Sequence, residues 1–505
     1  MTKVLIIGGG IAGLSAGSYL QMNGYDTEIF ELNSNAGGLC ISWKRKAYTI
    51  DGCVHWLIGG NPKDPYYPSL NGLVDMNNLP KITYEEFCSV EEGGRILRFF
   101  GDLDKLEMEL KGVSPQDGKM IEEMISGAKE IASIYLLDTK SQKVMDAWEK
   151  AFNAWKMPIS EYAQNIKSTL IRKLLFSIPL STEYLMFHFL VNAASFHHKT
   201  AFYPEGGAEG LVDKIVHRYV SLGGKIHYKS PVAKVCVENG CAKGIRLRDG
   251  KTHTADYIIS AADWRHTMHT LLDGQYIDER VKKFYFDEKY IPRMTQFYVS
   301  LGVARKFDNS FKPYVCIALK NPLKLGKDEI TDAGITIHNF DPTAAPSGKT
   351  VLTMAFWCHD AEYWVKFRNE DRAQYDQEKK RIASHMIDEI DAHFGDVKDK
   401  VEMIDVASPA TYVRYTNNWN GSCCGWQNFS EFSSDKPKNE IKGLERFFMC
   451  GQWVGDAGGG GISGSAQSGR DLAQILCDRD GKKFKALTFS GTRHLPFNEL
   501  TLEKV

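Results

Sequence analysis

Among its eleven cysteines the 505-residue chain has no CxxC pair. The tightest grouping, Cys423 beside Cys424, suits neither a zinc site nor a disulfide framework. The thiols read as reduced, which argues for a cytoplasmic protein. No apolar run approaches the roughly 20 residues that cross a membrane, although contact with a membrane surface stays open. Charge of neither sign dominates: 62 Lys and Arg against 63 Asp and Glu leave a formal net charge of -1, with no general attraction to nucleic acid. The opening MTKVLIIGGG enters an apolar run at once, so no signal peptide is expected. A Walker phosphate loop is missing as well. Nothing in these absences sets the oligomeric state.

What is present begins at residue 3, in KVLIIGGGIAGLSAGSYLQMNGYDTEIFELNSNAGG. VLIIG is a continuous apolar, β-branched run, the mark of a strand buried on both faces of a parallel sheet. Gly8, Gly10 and Gly13 then form GxGxxG: a tight turn, a close backbone approach to a pyrophosphate, and close helix-to-strand packing. Ile11 and Ala12 open the helix, where backbone N–H groups are free for an anion. That helix is expected to end at Gly24, and a second strand, TEIFE, ends in Glu31, placed to accept hydrogen bonds from a ribose.

NAD and FAD share the half that this unit recognises, and two further features favour FAD. Gly37 and Gly38, followed by Leu39, let the chain turn sharply beside an extended cofactor. More than 400 residues on, a strand from Phe447 to Gly451-Gln452 leads through Asp456 and a glycine loop, 458–461, into a helix starting near Ile462. The free N–H groups and partial positive charge of that helix start, with Gly461 and Ile462 at its tip, would stabilise the negative charge that a flavin pyrimidine gains on reduction.

A third piece belongs to the same unit. YPEGGAEGLVDKIVHRYVSLGG reads as a turn and an amphipathic helix from Gly210 to Ser221, and KGIRLRDGKTHTADYIIS as a hairpin turning at Asp249-Gly250 before a return strand. The expected partition is therefore discontinuous: 1–60 plus 203–270 plus 435–480 for FAD, 61–202 plus 271–434 for substrate with a helical lid, and a tail, 481–505.

These segments, with YTIDGCVHWLIGG at 48–60 and SPATYVRYTNNWNGSCCGW at 408–426, resemble the FAD-dependent carotenoid and retinoid oxidoreductases: phytoene desaturases, carotenoid isomerases and retinol saturases. The resemblance covers most of the chain and is weakest from about 80 to 200. It implies an α/β, GR2-type flavoprotein: a Rossmann-like FAD domain with an inserted α+β substrate domain of mixed sheet and helices. It also implies that Gly8, Gly10, Gly13, Glu31, Gly37, Gly38, the Val232 backbone, Gly461 and Ile462 contact FAD. Such enzymes often have Gly-Asp where this chain has Gly451-Gln452, and an amide can bond a ribityl hydroxyl but offers no carboxylate.

Apolar residues at helical spacing between 117 and 155 predict two core-facing helices, and LIRKLLFSIPLSTEYLMFHFL adds large apolar groups suited to a greasy tunnel or lid. The expected chemistry is hydride movement between flavin N5 and a carbon of an apolar, polyunsaturated small molecule. Saturation would need a proton donor, for which Glu205, His55 and Tyr203 are candidates. A flavin amine oxidase shares the cofactor architecture and is the alternative, ahead of a lipid carrier with structural FAD. His266 and His269 lack a third ligand at metal spacing, so no metal is expected.

Overall fold

The computed structural model describes residues 1–135, 142–177, 184–288, 290–292, 295–307, 312–426, 437–455 and 461–489. Lys3–Ile7 is the middle strand of a parallel five-stranded sheet, ordered Phe447–Met449, Tyr257–Ser260, Lys3–Ile7, Asp26–Phe30, Lys225–His227. Its apolar run is continuous because both faces are covered. Val4 and Ile6 face the helices Ile11–Met22, Gly207–Ser221 and Gly461–Arg479, whereas Leu5 and Ile7 face an antiparallel sheet of Val232–Glu238, Cys241–Leu247 and Thr252–Thr254. Each such fully buried side chain contributes roughly 1.5–3 kcal/mol.

Local chemistry sets most boundaries. Asn23 ends the first helix and Gly24 follows at φ +76°. The hairpin turns as expected, with Gly250 at φ +91° and the Asp249 carboxylate accepting from the Lys251 N–H at 3.0 Å. The helix expected from Gly210 starts earlier, at Gly207, because Gly206 takes φ +83° before it and the Asp51 carboxylate accepts from the Ala208 N–H at 2.9 Å. That cap is 157 residues away in sequence and invisible to local reading.

A seven-stranded mixed sheet forms the second layer, ordered Val401–Ala407, Thr295–Val303, Thr350–Cys358, Asp328–Ile337, Tyr314–Leu325, Glu86–Glu92, Arg95–Phe100. Only the pair Tyr314–Leu325 with Glu86–Glu92 is parallel among these neighbours. Helix Arg372–Phe394 covers one face with Ile382, Met386 and Ile390, and its buried Glu389 accepts from the Lys320 and Asn321 N–H groups at 2.6 and 3.1 Å. Six helices, from Leu103–Val113 to Met186–His197, gather round Leu97 and Phe99. The periodic apolar residues of 117–155, among them Ile121, Ile125, Ile131 and Trp155, are core in Gly118–Ile134 and Gln142–Trp155.

Residues 481–489 of the expected tail run back along the first helix. Asn23 exchanges two 2.8 Å hydrogen bonds with the Lys485 backbone, and Arg218 donates to the Leu487 carbonyl at 2.9 Å. No described helix is long and apolar enough to cross a membrane.

Candidate cofactor and active site

The nucleotide end is built from backbone. Gly8 turns at φ +100°, and a Cβ on Gly13 would stand 2.1 Å from the Gly8 carbonyl oxygen, so this turn closes only on glycine. A Cβ on Gly10 would meet nothing nearer than 3.8 Å, which leaves the approach to that residue open. Gly37 and Gly38 run alongside at φ +120° and +64°, tied by the Gly37 N–H on the Gly9 carbonyl at 2.8 Å. Glu31 is 5% exposed and its carboxylate accepts from the Gly9 and Asn33 N–H groups, both at 2.8 Å, which aims it into the same loop. The helix behind has no side-chain cap and no acidic residue in its first turn, so its positive end, at Ile11 and Ala12, is left for an outside anion. Leu39 is half-buried beside Gly38, and Val232 begins its strand two residues after Ser230, whose N–H donates to the Glu31 carbonyl at 2.8 Å.

The distant C-terminal piece packs directly on this unit. Gly451, at φ +107°, donates its N–H to Ser468 Oγ at 2.9 Å, and a Cβ on it would lie 3.4 Å from that of Ala12. Gly469 meets the first helix so closely that a Cβ there would fall 2.4 Å from the Ala12 carbonyl. Ser15 lies in GLSAG, whose letters match the G-x-S-x-G of hydrolases, but it is buried inside the helix and donates to the Ala466 carbonyl at 2.6 Å. It is a packing contact. Gln452 is half-buried, and Gly461-Ile462 opens the last helix. Asp456 and the glycines before Gly461 lie outside the described residues.

Beside these backbones sits a group of side chains from five separate segments. Asp51 is 7% exposed and accepts four hydrogen bonds, from the Cys53, Val54 and Ala208 N–H groups at 2.9 Å and from the Tyr203 hydroxyl at 3.0 Å. Burial raises its pKa against those bonds. His55 Nε2 pairs with the Tyr298 hydroxyl at 3.0 Å, and desolvation lowers the imidazole to about 4. Cys423 and Cys424 follow the turn at Gly421, and Cys424 Sγ lies 3.8 Å from the Tyr184 hydroxyl. The Tyr412 hydroxyl, in the helix before that turn, is buried without a hydrogen-bond partner. Gly425 seats the loop on the cofactor side: a Cβ there would be 2.5 Å from the Gln452 carbonyl oxygen.

The model of the family described as "Flavin containing amine oxidoreductase" matches residues 11–477. The chain belongs to this family. Similarity to curated members is low but long: 21% identity to a 4,4'-diapophytoene desaturase of Methylomonas sp, over 96% of this chain and 97% of that one, and 23% to a prolycopene isomerase of Daucus carota, over 81% and 70%. Among solved structures, putrescine oxidase bound to putrescine shares the fold at TM-score 0.58 and 13% identity, covering 95% of this chain and 99% of that one. As a member of the family the protein is an FAD-dependent oxidoreductase, and its glycine turns, uncapped helix and buried Glu31 fit such a cofactor.

Within this flavoprotein the three proton-donor candidates separate. Tyr203 is 1% exposed and its proton is committed to Asp51. His55 faces Tyr298 from a half-buried position. Glu205 is exposed, with its backbone N–H on the Pro80 carbonyl at 3.1 Å. Tyr298, Tyr412 and Tyr184 went unremarked in the sequence because only strand register and long-range packing bring them together. His197 and His198 are helix-end residues, the latter with Nε2 2.8 Å from the Ala132 carbonyl.

Proposed function

We propose that this oxidoreductase moves hydride between FAD and a carbon of an apolar, polyunsaturated small molecule, against a wall formed by His55, Tyr298, Tyr412 and the Cys423-Cys424 turn. The observation that carries this reading is the neutrality of that wall. His55 titrates at about 4 and is uncharged at neutral pH, and Asp51, the carboxylate that reaches the group, is already engaged by four donors. An ammonium substrate would find no free anion there, whereas a hydrocarbon would leave no polar group newly unpaired. The polyene-directed names of the relatives point the same way.

FAD, when bound, supplies the hydride acceptor or donor. The chain's own contribution is to orient, to exclude water and to hold a proton. The N-terminus of Ile11–Met22, which has no side-chain cap, and that of Gly461–Arg479, which has no acidic residue in its first turn, carry partial positive charge that would favour the anionic parts of a bound cofactor. Asp51 ties the 51–54 turn to Tyr203 and to helix Gly207–Ser221, and so fixes where His55 stands. The Tyr298 hydroxyl, paired with His55 Nε2 at 3.0 Å, would give or take the proton that the reaction requires.

The test is anaerobic. Bleaching of the visible flavin bands by an apolar lipid extract, or reoxidation of the reduced protein by polyenes, supports the reading. Bleaching by simple primary amines instead would overturn it in favour of amine oxidation. Tyr298→Phe is expected to lower turnover about 10- to 100-fold at unchanged flavin content, and unchanged turnover would remove Tyr298 from the proton path.

A further inference from the structure

The adjacent thiols Cys423 and Cys424 have no role in the hydride chemistry above, yet their surroundings are specific. Both are partly exposed, in the turn that lies against Gln452 on one side and Tyr184 on the other. Their Sγ atoms are 3.8 Å apart, and Cys424 Sγ is also 3.8 Å from the Tyr184 hydroxyl. Cys424 Sγ thus lies within hydrogen-bond distance of two groups, Cys423 Sγ and the Tyr184 hydroxyl. No group of three His, Cys, Asp or Glu side chains among the described residues is arranged to hold a metal, so the pair is not part of a metal site there.

We propose that Cys423 and Cys424 form a redox-active vicinal dithiol, oxidised reversibly to a disulfide by a small-molecule disulfide. The order of events follows from the hydrogen bonds. The bond from Cys423, then that from Tyr184, lowers the Cys424 thiol from its ordinary range and outweighs burial, while Cys423 is pushed up. Cys424 thiolate attacks one sulfur of the small disulfide; that S–S bond breaks and one small thiol leaves. Cys423, giving up its proton, then attacks the Cys424 sulfur of the mixed disulfide and expels the second small thiol. The pair loses two electrons and two protons, and the small disulfide is reduced to two thiols.

The bridge formed this way is labile by geometry. Neighbouring Cα atoms are held about 3.8 Å apart by the trans peptide, short of the roughly 4.4–6.8 Å that disulfides prefer, and such deviation makes a bridge easier to reduce. A thiol reductant should therefore restore the dithiol, as a switch requires and a structural bridge does not. Closing the sulfurs to bonding distance draws Cys424 from Tyr184 and re-forms the wall that Gly425 seats on Gln452.

The experiment uses the flavin-loaded full chain, equilibrated with oxidised glutathione or with dithiothreitol, then alkylated and digested. The expected result is a peptide containing both cysteines that loses two alkylation sites and two hydrogens in mass after oxidation, and regains both with dithiothreitol. Cys423→Ser should trap a glutathione adduct on Cys424, and Cys424→Ser should abolish both products; retained flavin absorbance shows that each variant folds. Two outcomes would overturn the proposal: both thiols staying alkylatable when other cysteines in the chain have reacted, or a bridge joining either one to Cys53 instead.

Discussion

The five-stranded sheet and the seven-stranded sheet carry their parts of the site in opposite ways. Around the parallel sheet the functional surface is backbone: the turns at Gly8, Gly13, Gly37 and Gly451, the open helix start behind Gly10, and a single acid, Glu31, holding the loop at 2.8 Å. Beside the mixed sheet it is side chains, with His55, Tyr298, Tyr184 and Cys424 drawn from separate segments. A surface made of backbone needs particular residues at particular spacings, because only glycine leaves the room. A surface made of side chains can be assembled from any positions that the fold happens to juxtapose.

The sharpest way to strain that contrast is Gly13→Val. The new Cβ would stand 2.1 Å from the Gly8 carbonyl oxygen in the same turn and 3.3 Å from Ala261 Cβ at the end of the neighbouring strand, so backbone would have to move. The expected outcome is a chain that is insoluble or binds no FAD, read from the visible absorbance of the purified protein. Normal flavin content would mean that the loop is looser than its packing indicates. Asp51→Ala is the counterpart on the side-chain half. It orphans three backbone N–H groups and the Tyr203 hydroxyl, for a loss of about 3 kcal/mol in chemical denaturation, with FAD retained. An equal loss of flavin in both variants would erase the distinction.

This contrast explains which parts could be read from the chain. GxGxxG, Glu31 and the Gly37-Gly38 pair lie within 31 residues of one another, and their spacing mirrors the strand, turn and helix that they build. The C-terminal piece was legible for the same reason, since Gly451 turns two residues after a strand, Phe447–Met449, and Gly461 opens a helix. Asp51 was noticed only through resemblance, because its partners at Tyr203 and Ala208 are 152 and 157 positions away. Tyr298 carries no local mark at all: it sits in an apolar strand, and the hydroxyl matters only because His55, 243 residues earlier, meets it. Glu205 shows the same limit from the other side: it lies close in sequence to a real turn, and its exposure is set by the packing around that turn.

Acid should separate the two halves more gently. His55 and His188 titrate at about 4 and His338 at about 3, in each case because burial disfavours the charged ring. Below about 6.5 the unfolded chain binds protons at these sites that the folded one refuses, so stability falls as pH drops from about 6.5 towards 4. Each such ring should cost about 1–2 kcal/mol by pH 5. Against this, Glu28 on the parallel sheet, although burial raises it, is held below its ordinary value by hydrogen bonds from Lys3 and His227. Its contribution is present above the usual carboxylate range and is lost only at lower pH. Hydrogen exchange at pH 5 and pH 7 should therefore show faster opening of Met186–His197 and Thr350–Cys358 than of Lys3–Ile7. Uniform acceleration would mean that the halves share one stability, and His338→Phe should flatten the pH dependence of the second.

The smallest expected effect is the most exacting for the contrast. Glu205 follows the committed Tyr203 by two residues in the turn before helix Gly207–Ser221, so nearness in sequence alone would make it a proton donor. It is exposed, whereas Tyr203 and Asp51 are buried and bonded to each other. Glu205→Gln should leave turnover, flavin content and melting temperature all within error of the parent. Should turnover fall while flavin and stability hold, the turn must swing Glu205 inward when substrate enters, and the proton path proposed through Tyr298 would have to be redrawn around it.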